Sequence, residues 1–327
     1  MKLVIQIPAY NEASSIRETL RQLPKKIVGI ATIDILLIDD GSADETVAIA
    51  KACGVKYIMS HLNNQGLAKS FIDGIDFALR LGADIIVQTD ADNQYQGADI
   101  EKIIQPLLLN QADIVIGRRP IQFNPYFTAN KKRLQQAGSF GVSKLARLKL
   151  SDVTSGFRAY NRLAALHLNV INDFTYTVET LIQASQHKLM IVEVPISVNE
   201  TLRPSRLAKS TCFYLRKSCV VIFRTVLLYR PLFVFLMISL LLGGFGLVIG
   251  CYFLYYYFSG DGAGHLQVLI LMSILFILSF MTFIIGLLSD LLKANRKILE
   301  EVQLRLRQLD YDIEVQREDS KSFKRKS

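Results

Sequence analysis

Along the first third of the chain, apolar residues come in short, largely β-branched blocks, each followed by a polar cluster and then by a run with helical spacing. Leu3 to Tyr10, LVIQIPAY, has the character of a buried strand stopped by Pro8. Ser15 and Glu18 are spaced as a capping box for a helix running towards Leu23. A second strand, Ile33 to Ile38, ends on Asp39, Asp40, Gly41 and Ser42, and Ser42 with Glu45 offers a second capping box for a helix ending before Gly54. The alternation repeats through Tyr57 to Met59 and Leu67 to Leu81, then through Ile85 to Thr89 and Ile100 to Leu109, with a further strand at Ile114 to Ile116. This order predicts an α/β fold, a mostly parallel sheet with helices on both faces.

The pattern changes near the C-terminus. Leu232 to Phe258 carries no charge, and neither does Leu266 to Ser289. Each run exceeds the roughly 20 residues that cross a bilayer, and the short Gly-rich segment Ser259 to His265 between them makes a transmembrane hairpin. Arg224 and Arg230 before the first run, and Lys293, Arg296 and Lys297 after the second, place both termini in the cytoplasm by the positive-inside rule. The apolar stretch after Lys2 stops at Pro8, so no signal peptide is expected. The expected division is a catalytic domain over 1–208, a basic juxtamembrane amphipathic helix over 209–230, two spans over 231–289 and a cytoplasmic tail over 290–327. In that tail charges alternate with Ile298, Val302, Leu306 and Leu309, an amphipathic pattern that leaves room for pairing with a second copy in a homo-oligomer.

Composition agrees with a membrane protein: half of the 327 residues are hydrophobic and the mean hydropathy is +0.27. The net charge of +9 would suit nucleic acid, but its distribution points elsewhere. Between Glu200 and Asp261 every charge is positive and leads into the first span, which matches anionic lipid headgroups. Cys53, Cys212, Cys219 and Cys251 are scattered without metal-ligand spacing and read as reduced, structural thiols.

Ligands of parallel α/β sheets bind beyond the carboxyl ends of the strands. The polar clusters PAYNE (8–12), DDGS (39–42) and DADNQ (90–94) all fall there, so they should meet in one cleft. No G-x-G-x-x-G follows a strand and no G-x-x-x-x-G-K-[ST] is present, which counts against dinucleotide oxidoreductases and P-loop NTPases. Gly246 and Gly250 form a G-x-x-x-G inside the first span, a helix-packing feature.

With IPAYNE, LLIDDGS, NNQGLAKSFIDGI, TDADNQ, GRR and SDVTSGFRAY in this order, the chain resembles family 2 glycosyltransferases of the GT-A fold, within them the polyprenyl-phosphate sugar transferases. The resemblance covers about Lys2 to Ser210. It implies that Asp90 and Asp92 hold Mg²⁺ or Mn²⁺ against the diphosphate of a nucleotide sugar, chemistry that suits carboxylate oxygens. It further implies that Pro8, Ala9, Tyr10, Glu12, Asp39, Asp40, Gly66, Lys69 and Ala91 line the nucleotide-sugar pocket. Arg118, Arg119, Ser155, Arg158, Arg203 and Lys209 would meet the acceptor phosphate of a polyprenyl lipid, while Asp152 would serve as a base or orient that phosphate. The segment RLAKST departs from the family's usual Gly-x-Ser-basic pattern, with Ala208 and Thr211 at the differing positions.

The activity so implied is inverting transfer of a hexose, first choice glucose from UDP-glucose, to undecaprenyl phosphate at the cytoplasmic face of the plasma membrane, by a multi-pass protein. GDP-mannose or another UDP-sugar is the alternative donor. Two other readings fit less well. A non-catalytic lipid-binding relative would have lost Asp90 or Asp92, and a processive polysaccharide synthase carries further spans and a Q-x-x-R-W motif, whereas this chain has no Trp.

Overall fold

A computed structural model describes residues 1–120, 150–170, 176–199, 227, 230–260 and 263–326. Seven strands form one sheet: β1 (Lys2–Ala9), β2 (Thr32–Asp39), β3 (Tyr57–Ser60), β4 (Ile85–Gln88), β5 (Ile114–Arg118), β6 (Arg158–Asn161) and β7 (Ile191–Pro195), in the order β3-β2-β1-β4-β6-β5-β7. The helices of this unit are α1 (Ile16–Arg21), α2 (Thr46–Ala52), α3 (Leu67–Arg80), α4 (Asp99–Leu108), α5 (Arg162–His167) and α6 (Thr177–Gln186). β1 pairs in parallel with β2 and β4, β2 with β3, and β5 with β7. The sheet is nevertheless mixed, because β6 runs antiparallel to both β4 and β5.

Burial on both faces explains why the central strands read as continuous apolar runs. Leu3, Ile5, Ile7 and Ala9 of β1 join a core cluster with Ile16 of α1, Ala50 of α2 and Ile100, Ile103 and Ile104 of α4. The alternate residues face α3, where Gly74 lies so close to Gln6 and Ile38 that a Cβ there would stand 2.5 Å from Gln6 Oε1. On that side Phe71 of α3 stacks on Tyr176 at 3.9 Å and tilts against Tyr160 of β6 at 5.9 Å.

Neither expected capping box forms. Ser15 precedes α1, but its hydroxyl donates to Glu12 Oε2 at 3.0 Å and makes no cap bond. The residue preceding α2 is Glu45, and Ser42 Oγ instead accepts from Asn11 N at 2.9 Å. Local spacing loses here to tertiary partners that sit closer.

Two further helices follow, α7 (Pro231–Phe258) and α8 (Leu266–Lys326), joined through a 3₁₀ turn at Ala263–His265. Both are long and apolar enough to cross a membrane. Their apolar side chains, such as Leu240, Phe245, Phe280 and Leu288, are exposed, so they are not the buried core helices of a soluble domain. They pack on each other through small residues. Ser239 Oγ donates to Ser279 O at 2.9 Å and Ser279 Oγ to Ser239 O at 2.8 Å, and a Cβ on Gly250 would stand 2.7 Å from Met272 Sδ. α8 continues as one helix through residue 290 to Lys326. By compactness the chain divides into one unit of Met1–Arg216 with Gln303–Ser327 and a second of Lys217–Val302.

Candidate active site

The parallel register aligns Ala9 with Asp39 and Gln6 with Gln88, so the loops after β1, β2 and β4 leave the sheet at the same edge. They are tied together there. Asn11 Oδ1 accepts from Ala43 N at 2.8 Å, Glu12 N donates to Thr46 Oγ1 at 2.8 Å, and Thr19 Oγ1 donates to Ala91 O at 3.0 Å. Pro8, Ala9 and Ala91 are buried behind the cleft, Glu12 is buried beside Ser15, and Tyr10 is exposed.

Asp39 and Asp40 are buried, and both have structural work. Asp39 Oδ1 accepts from Ser42 N at 3.0 Å. Asp40 accepts from Gln65 N at 2.8 Å and Gly66 N at 2.9 Å, and its Oδ1 lies 2.8 Å from His61 Nδ1. The other face of that ring, Nε2, lies 3.1 Å from Asp73 Oδ2, and Lys69 Nζ donates to Asp73 Oδ1 at 2.6 Å. Asp40 thus fastens the loop that starts α3. Gly66 itself has φ +96°, a left-handed geometry that only glycine adopts without strain. Since Ser42 caps no helix, these two carboxylates are not surplus to structure.

Asp90 and Asp92 follow β4 and are both half-buried. Surrounding protein and then the charge of Asp92, with Glu12 adding to it, push the Asp90 carboxyl well above its ordinary range, against the pull of Arg119. Asp92 Oδ1 accepts from Gln94 N at 3.1 Å. The loop is pinned from the far side by Asn199, whose N donates to Gln94 O at 2.9 Å and whose Nδ2 donates to Asn93 O at 3.0 Å. Among the described residues no three His, Cys, Asp or Glu side chains are grouped closely enough to enclose an ion by themselves. A pair of carboxylates crowding each other still fits Mg²⁺ or Mn²⁺, which such sites hold with one or two carboxylates plus substrate phosphate.

Against Asp90 stands the segment Asp152 to Arg158. A Cβ on Gly156 would lie 3.1 Å from Asp90 Oδ2 and 3.2 Å from Oδ1, so a side chain there would fill the space beside the carboxylate. The Gly156 peptide is clamped between two tyrosines: its N donates to Tyr95 Oη at 3.1 Å, and Tyr176 Oη donates to its O at 3.2 Å. Burial pushes the Tyr95 hydroxyl up to about 12, so it stays protonated. Ser155 is fully buried, and its Oγ has no partner among the described residues.

The arginines divide. Arg118, at the end of β5, is exposed. Arg119 is mostly buried and forks onto Asp152, Nε to Oδ2 at 2.7 Å and Nη2 to Oδ1 at 2.9 Å, with a further bond from Nη2 to Thr154 Oγ1 at 2.8 Å. Burial raises the Asp152 carboxyl, but the hydrogen bonds and charge of Arg119 outweigh it, and the net shift is downward. A carboxylate so held is a poor proton acceptor. Arg158 departs from the expected acceptor role. It is fully buried, and its Nε donates to Ser155 O, Nη1 to Thr177 O and Thr180 Oγ1, and Nη2 to Val153 O, all at 2.8–2.9 Å. Its charge is spent bracing the 152–157 loop against α6, because a buried guanidinium must satisfy its donors internally. Arg203 and Lys209 lie outside the described residues, as does the expected juxtamembrane helix apart from residues 227 and 230.

Sequence reasoning passed over His61, Tyr95, Gly156, Tyr176 and Asn199. His61 lies in the polar loop next to NNQG, and Gly156 is inside the SGFR motif already singled out, so both had a local signal. Tyr95 directly follows the DADNQ cluster and had one too, whereas Tyr176 and Asn199 had none, since their roles depend on which segments the sheet brings together.

The mixed seven-stranded sheet, with acidic loops at the carboxyl ends of its parallel strands, is of the GT-A type found in glycosyltransferases. The chain belongs to glycosyl transferase family 2, whose model matches residues 4–168. It is 33% identical over 216 residues to a UDP-N-acetylglucosamine–dolichyl-phosphate N-acetylglucosaminyltransferase of Methanococcus voltae, covering 58% of this chain and 82% of that one. It is 29% identical over 210 residues to an undecaprenyl-phosphate mannosyltransferase of Micrococcus luteus, covering 61% and 84%. Among solved structures it is similar in fold to glucosyl-3-phosphoglycerate synthase from Mycobacterium tuberculosis in complex with Mn²⁺, UDP-glucose and phosphoglyceric acid, with a TM-score of 0.53, 17% identity, and coverage of 69% and 78%.

Proposed function

We propose that this glycosyltransferase moves one hexose from a nucleotide sugar to a polyprenyl phosphate at the cytoplasmic face of a membrane, with inversion at the anomeric carbon. The observation that carries the reading is one chain holding both the Asp90–Asp92 cleft and two exposed apolar helices long enough for a bilayer. Named relatives act on lipid phosphates, which supports the acceptor class. UDP-glucose is the first donor to test, with GDP-mannose and UDP-N-acetylglucosamine beside it.

In this reading Asp90 and Asp92 hold Mg²⁺ or Mn²⁺, which supplies charge neutralisation to the departing nucleoside diphosphate. Asp39, Asp40, Pro8, Ala9, Tyr10, Glu12, Gly66, Lys69 and Ala91 shape the donor pocket, Asp40 by fixing the Gly66 turn. Arg118 is exposed and free to meet the acceptor phosphate. Arg119 is pre-oriented by Asp152, so Asp152 acts as a positioning residue and not as a base. A strong base is unnecessary, since a phosphate monoester has its second pKa near about 6 and arrives largely ionised. A single displacement by that oxygen gives inversion.

The test is incubation of membranes with a panel of labelled sugar nucleotides and polyprenyl phosphate, followed by lipid extraction. Label in an extractable β-linked lipid phosphate is expected. Release of free sugar only, with every donor, would remove the acceptor assignment.

A further inference from the structure

The part of α8 beyond Asp290 presents an apolar stripe that nothing described in this chain covers. Leu299, Val302, Leu306, Leu309 and Ile313 are 68%, 49%, 57%, 56% and 47% exposed. Their spacing of three, four, three and four residues is the a/d seam of a coiled coil, with Leu299, Leu306 and Ile313 at a and Val302 and Leu309 at d. Lipid does not account for it. A crossing that begins at Leu266 uses about 20 residues, and Leu299 lies roughly 21 Å further along an unbroken helix at 1.5 Å per residue.

The chain's own catalytic unit takes a different face of the same turns. Arg307 Nη1 donates to Leu168 O at 2.6 Å and to Leu166 O at 3.3 Å, at the carboxyl end of α5, and Nη2 lies 2.9 Å from Asp76 Oδ1 of α3. Gln303 Oε1 accepts from Asn169 Nδ2 at 2.8 Å. These residues occupy heptad positions b and e, beside the seam and not on it.

We propose that the seam is the docking surface for a second copy of this chain, in a parallel, in-register coiled coil. The flanking sequence selects that arrangement. In a parallel pair each g residue faces the e residue five positions on in the partner helix. Two of those pairs are charged, Arg305 with Asp310 and Asp312 with Arg317, and both are opposite in sign, while Ile298 with Gln303 is neutral. The parallel direction also follows from the anchor reading above, because two copies inserted the same way emit α8 from the same face at the same depth. The stripe and its charge pattern do not depend on that reading.

The test uses full-length protein in native membranes with Cys53, Cys212, Cys219 and Cys251 replaced by Ser. Oxidation should join Leu306→Cys and Leu309→Cys copies into disulfide dimers, while Gln308→Cys at position c stays monomeric. Co-expressed, differently tagged Leu299→Cys and Ile313→Cys copies should give no mixed dimer. Arg305→Asp should cut the Leu306→Cys dimer yield several-fold, and adding Asp310→Arg should restore it. No dimer at residues 306 and 309, equal dimer at 308, or capture of a different polypeptide at 306 overturns the proposal, and a mixed 299–313 dimer overturns its direction. Because the readout is a disulfide and not sugar transfer, failure of the proposed activity leaves this result interpretable.

Discussion

Asp92 and Asp152 are both acidic, but their surroundings give them opposite work. Asp92 is half-buried at the cleft and, among the described residues, accepts a bond from Gln94 N, so Asp92→Ala should abolish transfer at saturating Mg²⁺ or Mn²⁺ while thermal unfolding is unchanged. Retention of most turnover would refute the metal role. Asp152 is bound by a bidentate Arg119, and truncating one partner of such a buried pair costs about 3–5 kcal/mol. Asp152→Asn should therefore lower stability as well as rate. The pH dependence separates positioning from base catalysis. The folded carboxyl lies below its unfolded value of about 3.9, so its stabilisation is complete above that pH and lost as pH falls through the folded value. The variant's unfolding temperature should consequently depend less on pH below about 4. Its rate deficit should stay constant on raising the pH, where loss of a true base would be partly restored.

The arginines test the same distinction. Arg118→Ala should raise KM for the lipid phosphate without changing the unfolding temperature. Arg158→Ala should destabilise the fold, because three backbone carbonyls lose their donor in a buried site. A selective KM effect in a fully stable Arg158→Ala protein would return that residue to the acceptor site. Sequence alone did not separate their roles, since GRR and SGFR each place an arginine within two residues of a glycine. What separates them is a contact to α6, nineteen residues further along the chain, between Arg158 Nη1 and Thr177 O.

Among the elements, legibility followed apolar character and not burial alone. β1 and β4 are buried on both faces and β2 in its C-terminal half, and they announce themselves as largely apolar runs, interrupted by Gln6 in β1 and Asp34 in β2, with end residues that differ from the expected ones by a residue or two. β6 was not expected, since Arg158, Ala159, Tyr160 and Asn161 have neither an apolar run nor a clean alternation. It exists because β4 and β5 leave a gap that an antiparallel segment fills, a fact of topology that four residues cannot encode. The glycine pattern in α7 was legible for the opposite reason, since close helix packing requires small residues wherever it occurs. Gly250→Leu should therefore loosen the α7–α8 pair, where a side chain would have to displace Met272, at a cost on the order of 1–3 kcal/mol for overpacking. The check is a lower unfolding temperature in detergent micelles, with the catalytic unit's affinity for nucleotide unaltered.

At the scale of the whole molecule, the anchored reading proposed above makes a topology prediction from charge and hydropathy. α7 and α8 together make a hairpin whose connecting turn carries few charges, while Arg230 stands at one end and Lys293, Arg296 and Lys297 at the other. Moving those cations across a bilayer is opposed, so the turn should be the part that crosses. Cys53, exposed after α2, and the turn residue Ser259 report the two sides. In intact cells, an impermeant thiol reagent should modify Ser259→Cys in a background without native cysteines, and should leave a protein whose single thiol is Cys53 untouched until the membrane is opened. Labelling of Cys53 from outside would invert the topology. It would also remove the cytoplasmic donor, because nucleotide sugars would then have to reach Asp90 and Asp92 from the wrong side.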